Sequence, residues 1–353
     1  MTTLTAEPTR DTDDQPGEWL AMHVYYAANP QPLLTRCIRD VFAELTERDL
    51  LDGYFFINYW LEGPHVRMRL KPRRAADTEL VKELAEKRVR EYLARRPALY
   101  DVDTGFLGDL YQQLFSMEFS EDEKQEYLAE DGTMNLRPNN DLAYLPYEPE
   151  NGKYGGPAGV ELAEWHFQHS SDLTIEMLRT NNLHLRSVLL GTSAQLMMVM
   201  AASFLDDRDE LATFLRRYHD FWQSHFAGTD FIADEEYATG FADNVERMGG
   251  LFDRVRSAVR RDALDELPPH LAGWAAHCRE LRGRVAELAR AGRLTFGSWD
   301  RTRTTVVTEP GEALVILLSP YLHMTNNRLH VTIRDEAYLA YLLGRVLTDG
   351  APT

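Results

Sequence analysis

The chain has 353 residues, 44% of them hydrophobic, and a formal net charge of -18, enough to bury one large core or two modest ones. That acidic balance excludes a nucleic-acid backbone as the main partner, because phosphate binding needs net basic surface. Its two cysteines, Cys37 and Cys278, stand far apart without a paired motif, which excludes a disulfide framework and a thiolate metal site.

Residues 1–18 are polar and acidic with no signal-peptide apolar core, so they are expected as a disordered tail. No apolar run reaches the roughly 18 residues of a membrane span, and a cytoplasmic protein with no membrane partner is expected. A first strand is predicted over Trp19 to Tyr26, where Leu20, Met22 and Val24 alternate with Trp19, Ala21 and His23. Leu34, Ile38, Val41, Phe42 and Leu45 give a helix over Leu33 to Glu47. The aromatic run Tyr54 to Leu61 and the stretch Gly63 to Lys71 read as two strands joined at Glu62-Gly63-Pro64. A second helix runs from Asp77 to Arg95, with Asp77 or Thr78 as its cap, and a fourth strand from Leu142 to Tyr147. The order β-α-β-β-α-β is a split βαβ, ferredoxin-like arrangement. The stretch 100–140 reads as an insertion: a lid, a partner-docking element, an inserted helical pair or a plain family-specific addition.

From Pro157 the pattern turns helical, over Val160 to Thr180, Leu183 to Leu205, Asp209 to Phe226, Glu235 to Arg261 and Pro269 to Ala291. Leu189 to Ala202 is apolar on almost every side and is expected as the central buried helix, with Met197, Met198 and Met200 filling gaps. Thr302 to Thr308 fits a short strand, Glu312 to Val331 a helix kinked at Pro320, and Asp335 to Leu347 a closing helix. The fold class is therefore α+β, a small sheet followed by a mostly helical half. It is read as one domain over 19–350, with an α/β part at 19–156 and a helical part at 157–350.

Three stretches carry chemistry. On the strand after the hairpin turn, Val66, Met68 and Leu70 face one way and His65, Arg67, Arg69 and Lys71 the other, as a row of cations. Arginine matches a carboxylate bidentately, so the row suits an anion with more than one carboxyl group; the alternative is a solvated face with surface ion pairs. The loop Tyr147 to Pro157 holds Gly152, Gly155 and Gly156 before a helix, which fits either a close approach to an anion or a tight strand-to-helix turn. His323 and Asn327 lie four apart on one helical face, and an amide-held imidazole suits proton transfer, or else a satisfied structural role. The spacing of the remaining histidines excludes a metal motif, and no serine or cysteine nucleophile constellation is present.

Together the stretches resemble a known family. Phe55 to Trp60 running into Gly63 to Leu70, then Tyr147-Glu148-Pro149-Glu150 with Lys153-Tyr154-Gly155-Gly156, Glu161 to Glu164 and Phe167, then His323-Met324 with Asn327-Arg328-Leu329, resemble three signatures of the C-terminal elimination domain of class I lanthipeptide dehydratases. That domain also occurs as a free-standing thiopeptide biosynthesis protein. The resemblance implies removal of glutamate from glutamylated Ser or Thr of a precursor peptide, leaving dehydroalanine or dehydrobutyrine. It implies no cofactor, and as partners the glutamylated precursor peptide with its leader and a separate glutamylation protein that uses glutamyl-tRNA. Dimerisation is left open. The family's catalytic residues fall on Arg67, Arg69 and His323, expected to converge on one pocket, and its substrate-binding positions on His65, Lys153, Tyr154, Asn327 and Arg328. A family arginine is here Lys153, which keeps the charge and loses the planar fork. Two other readings share the resemblance: a pyridine synthase joining two dehydroalanines in a formal [4+2] cycloaddition, and a non-catalytic peptide-binding partner of a glutamylating enzyme.

Overall fold

A computed structural model of the chain describes residues 15–100, 114–116, 119–130, 132–225, 234–298 and 302–349. Residues 1–14 of the expected tail and 101–113 of the expected insertion lie outside the described residues. The chain is α+β. The described residues fall into two compact units, one from 15–100 and 136–148 and the other from 114–135 and 149–349.

The first unit is built on four antiparallel strands in the order β2-β3-β1-β4, with β1 at Leu20–Tyr25, β2 at Leu51–Tyr59, β3 at His65–Pro72 and β4 at Asp141–Tyr144. Between β1 and β2 runs α1 (Arg39–Glu47), led in by a π-helical segment Leu34–Ile38, and between β3 and β4 runs α2 (Thr78–Arg95). This is the split βαβ order expected from the sequence. The register sets Met22 opposite Met68 and Val24 opposite Val66, with Phe56 opposite Met68 on the other side. That face takes the helices: Phe42 of α1 stacks on Tyr54 with centroids 4.3 Å apart, and Lys82 of α2 lies over Tyr144. Met22, Val24, Phe56, Met68 and Leu70 are buried there, each contributing about 1.5–3 kcal/mol by leaving water. One detail departs from expectation. Asp77 stands at the head of α2 but makes no capping bond, because Arg74 holds both its carboxylate oxygens at 2.8 and 3.0 Å.

The hairpin between β2 and β3 turns through Glu62 and Gly63, whose φ values are 61° and 111°. Such a turn starts β3 at His65 and so decides which residues share a face with Arg67 and Arg69.

The second unit is mostly helical: α3 (Asn151–Tyr154), α4 (Gly156–Thr180), α5 (Arg186–Phe204), α6 (Arg208–His225), α7 (Asp234–Arg261), α8 (Pro269–Arg290), α9 (Pro310–Leu329) and α10 (Ile333–Asp349). It also holds a two-stranded ribbon, β5 (Leu294–Gly297) paired with β6 (Thr304–Val307); β5 carries no signal read from the sequence. Within the acidic stretch, Ser120 and Glu123 form a capping box on the turn Glu121–Lys124. α5 is buried from Ser193 onward, apart from a half-buried Gln195, while its first turns are half-exposed. Against the expectation, α5 is long and apolar enough to cross a membrane by composition; 61% of its apolar window is buried inside the protein, as a core helix would be. Pro320 sits inside α9 without ending it.

Candidate active site

The sheet face opposite the helices carries the first set of residues. The register aligns Arg69 with Ala21 and Phe55, Arg67 with His23 and Ile57, and His65 with Tyr25 and Tyr59. Lys71, at the outer end of the row, is ion-paired to Asp52 at 3.5 Å. Arg67 lies flat over the Tyr59 ring, 3.4 Å from its centroid, and its Nε donates to His65 Nε2 at 3.3 Å. His65 is itself held by Gly63, whose carbonyl oxygen is 2.8 Å from Nδ1. Nδ1 must donate to that oxygen, so Nε2 is the acceptor and the ring is neutral. Burial, and then the Arg67 charge, push this imidazole down to about 3. His65 is thus a neutral prop for Arg67, and the expected row of cations has one member fewer.

Arg69 is different. It is 5% exposed, its Nε and Nη1 have no hydrogen-bond partner, and among the described residues no carboxylate lies within ion-pair distance. The Tyr147 ring, 5.5 Å away, gives weak cation–π contact. Burial and the neighbouring Arg67 push this guanidinium down to about 9. His23, 3% exposed, stands beside them with both ring nitrogens unpartnered. Burial, then Arg67 and Arg69, drive it far below the ordinary imidazole range. A buried cation without a counter-ion costs the fold several kcal/mol. A cavity of about 280 Å³ in the same unit lies at the hairpin end, against Tyr25, Gly63, Pro64 and Arg137, and neither arginine forms its wall.

The second set is in the helical unit. His323 projects from α9 with its side chain 25% exposed. Its Nδ1 is 3.3 Å from both oxygens of Glu336, in the first turn of α10, and Trp222 of α6 flanks the ring at 5.5 Å. Tyr218, one turn before Trp222, donates its hydroxyl to Glu336 Oε1. Three helices thus fix one imidazole. The sequence reading gave that task to Asn327; the structure assigns it to Glu336.

The remaining expected residues are placed as follows. Lys153 is surface-exposed and ion-paired to Glu150 at 3.1 Å. Tyr154 is buried, its ring stacked 6.0 Å from Tyr321. Arg328 is 0% exposed, donating from Nε to Ser171 Oγ at 3.2 Å and from Nη1 to the Met324 carbonyl at 2.9 Å, over the Phe167 ring. Asn327 is half-buried, and its carbonyl accepts the His330 amide. The glycines of the loop serve packing. The Gly155 carbonyl accepts Thr295 N–H of β5 at 2.9 Å, and a Cβ on Gly155 would fall 3.0 Å from Leu294 Cδ2. Arg67, Arg69 and His65 belong to the first unit, and His323, Lys153, Tyr154, Asn327 and Arg328 to the second.

Sequence reasoning missed His23, Glu336 and Tyr218. His23 was within reach, since it shares the strand phase of Ala21 and faces the cations once the register is known. Glu336 and Tyr218 lie on other helices from His323, and no local spacing joins them.

Residues 19–347 match the family described as lantibiotic biosynthesis dehydratase C-term. No curated protein matches the chain. Among solved structures, it is similar to the pyridine synthase TbtD from thiomuracin biosynthesis, with TM-score 0.69 and 22% identity over 94% of this chain and 98% of that one. It is similar also to TsrL, with TM-score 0.65 and 17% identity over 94% and 95% of the two chains. A third similarity is to the tRNA-dependent lantibiotic dehydratase MibB from Microbispora sp. 107891, with TM-score 0.52 and 18% identity; it covers 98% of this chain and 29% of that one.

Proposed function

The chain belongs to the lantibiotic biosynthesis dehydratase C-terminal family, and from that premise we propose that it eliminates glutamate from glutamylated Ser or Thr in a ribosomally made precursor peptide. The observation that carries the reading is Arg69, a buried guanidinium with two open donors and no counter-ion among the described residues. A departing glutamate brings the carboxylate that such a group lacks. Arg67, fixed by Tyr59 and His65, is the second donor of the grip.

The chemistry needs no redox step. A base takes the α-proton of the esterified residue, the C–H electron pair becomes the Cα=Cβ bond, and the Cβ–O bond breaks to release glutamate. Hydroxide would leave poorly; a carboxylate leaves well, and cations beside it stabilise the charge that develops. His323 is the base in this scheme. A separate glutamylation protein using glutamyl-tRNA would supply the substrate, a partner that fits the tRNA-dependent dehydratase among the similar structures.

The test is incubation with a peptide carrying O-glutamyl serine, read by mass spectrometry for release of glutamate and appearance of dehydroalanine. An unchanged peptide overturns the reading. One observation favours a second reading, the formal [4+2] cycloaddition: similarity to the pyridine synthase TbtD extends over 98% of that chain, while MibB is matched over 29%. A peptide already carrying two dehydroalanines separates the two, since only a cyclase consumes it.

A further inference from the structure

We propose that Glu336 and Tyr218 are positioning residues that hold His323 in the tautomer of a base, with its Nε2 lone pair turned to the substrate's α-proton. The inference rests on the reading of His323 as the proton acceptor in elimination. Nδ1 lies 3.3 Å from both oxygens of Glu336. An ionised carboxylate only accepts hydrogen bonds, so the imidazole proton resides on Nδ1 and Nε2 is left as the acceptor. Nε2 has no hydrogen-bond partner among the described residues.

Glu336 is 1% exposed, and a bare carboxylate at such a depth is costly. Three features offset that cost. Tyr218 gives Oε1 a hydrogen bond, His323 gives the Nδ1 proton, and the first turn of α10 adds its partial positive charge. Burial and the Glu336 charge raise Tyr218 well above the ordinary phenol range, so it stays a donor. A purely structural tie between α6 and α10 would be served as well by apolar side chains, which cost nothing to desolvate. This chain of bonds instead ends on an imidazole that is 25% exposed. When the α-proton moves to Nε2, the carboxylate stabilises the imidazolium, and that proton is later lost to water.

The experiment has two arms on the full chain. In the first, nitrogen-15 histidine labelling reads the tautomer of His323, identified by the signal lost in His323→Gln. The expected wild-type form has Nδ1–H. In Glu336→Gln the Tyr218 hydroxyl takes the amide oxygen, the amide NH2 faces Nδ1, and the ring switches to Nε2–H. In the second arm, an O-glutamyl-serine peptide is the substrate. Glu336→Gln should lower kcat on the order of 10²- to 10⁴-fold, with KM within about threefold. Tyr218→Phe, which keeps the packed ring, should lower kcat roughly 3- to 30-fold in the same pattern. A wild-type Nε2–H ring, or unaltered kcat in a folded Glu336→Gln, overturns the proposal. An Nδ1–H ring in a wild type that leaves the peptide intact supports the positioning and overturns the elimination reading instead.

Discussion

Replacing Arg69 with methionine should stabilise the folded protein while nearly abolishing elimination. Methionine keeps the length of the side chain and removes the guanidinium. Burial and Arg67 hold that group near 9, well below the ordinary guanidinium range, which corresponds to a cost on the order of 5 kcal/mol at neutral pH. Water penetration and local relaxation reduce what is recovered, so the expected gain is about 1–3 kcal/mol. The sign with pH also follows. The folded-state value is lowered, so the unfolded chain binds more protons only from about 9 up to the ordinary guanidinium range, and stability rises with pH there. At pH 6 and pH 8 both states are fully protonated, and the gain should be equal at the two.

Urea denaturation of both proteins at those two pH values reads the first expectation. The second is a loss in elimination rate on the order of 30- to 1000-fold, from a lost Arg–carboxylate contact of about 2–4 kcal/mol. Free glutamate is the third readout: at tenfold over its dissociation constant it should stabilise the wild type by about 1.4 kcal/mol and leave the variant unmoved. A variant destabilised by more than about 1 kcal/mol, or stabilised by glutamate as the wild type is, would refute the reasoning, because Arg69 would then have an internal role.

Arg67→Ala should let glutamylated peptide accumulate, with a rate loss on the order of 30- to 1000-fold; mass spectrometry showing normal dehydration would remove it from the grip. Lys153→Arg should leave elimination unchanged or raise it up to about fivefold, and Lys153→Ala should move stability by no more than about 1 kcal/mol, since the Glu150 pair is exposed. Activity of the Lys153 variants confined to a bis-dehydroalanine peptide would favour the cyclase. Acidification should weaken the fold: burial keeps His65 and His277 near 3 and holds His23 and His166 well below the ordinary imidazole range. The unfolded chain therefore binds more protons below 6.5, and His65 and His277 should each cost about 2 kcal/mol between pH 7 and pH 5, with His23 and His166 adding in the same direction. Stability that is flat over that range in urea titrations would contradict the neutral burial of these rings.

The β-α-β-β-α-β order of elements was enough to predict the ferredoxin-like arrangement, and period-2 alternation in β3 the side of the sheet on which Arg67 and Arg69 stand, because a strand has only two faces. Helical spacing likewise placed His323 on a helix. What alternation does not carry is the environment of each group. His65 and Lys71 share the phase of Arg67, yet one is a neutral hydrogen-bonded prop and the other is paired to Asp52. The loop glycines read equally well as a ligand cradle or a packing turn. The choice was made by β5, a four-residue strand without a sequence signal, which brings Thr295 against Gly155. Glu336 was illegible for a similar reason. Its partner lies across a helix–helix contact, where side chains meet by tertiary packing and not by local spacing.

The two sets of residues follow opposite electrostatic rules, and elimination asks for both. A leaving carboxylate is stabilised by cations that are not already neutralised, and Arg69 has no counter-ion among the described residues. A base must keep its lone pair, and a carboxylate behind the ring secures it: Glu336 occupies Nδ1 and leaves Nε2 open. Exchanging the two environments would ruin each function. A carboxylate beside Arg69 would occupy the grip before glutamate arrived, and an arginine behind His323 would disfavour the imidazolium that proton abstraction creates. On a chain of net charge -18, no acid among the described residues pairs with Arg69, while Glu336 is held against His323. Each environment is the one that the proposed elimination would ask of its own set of residues.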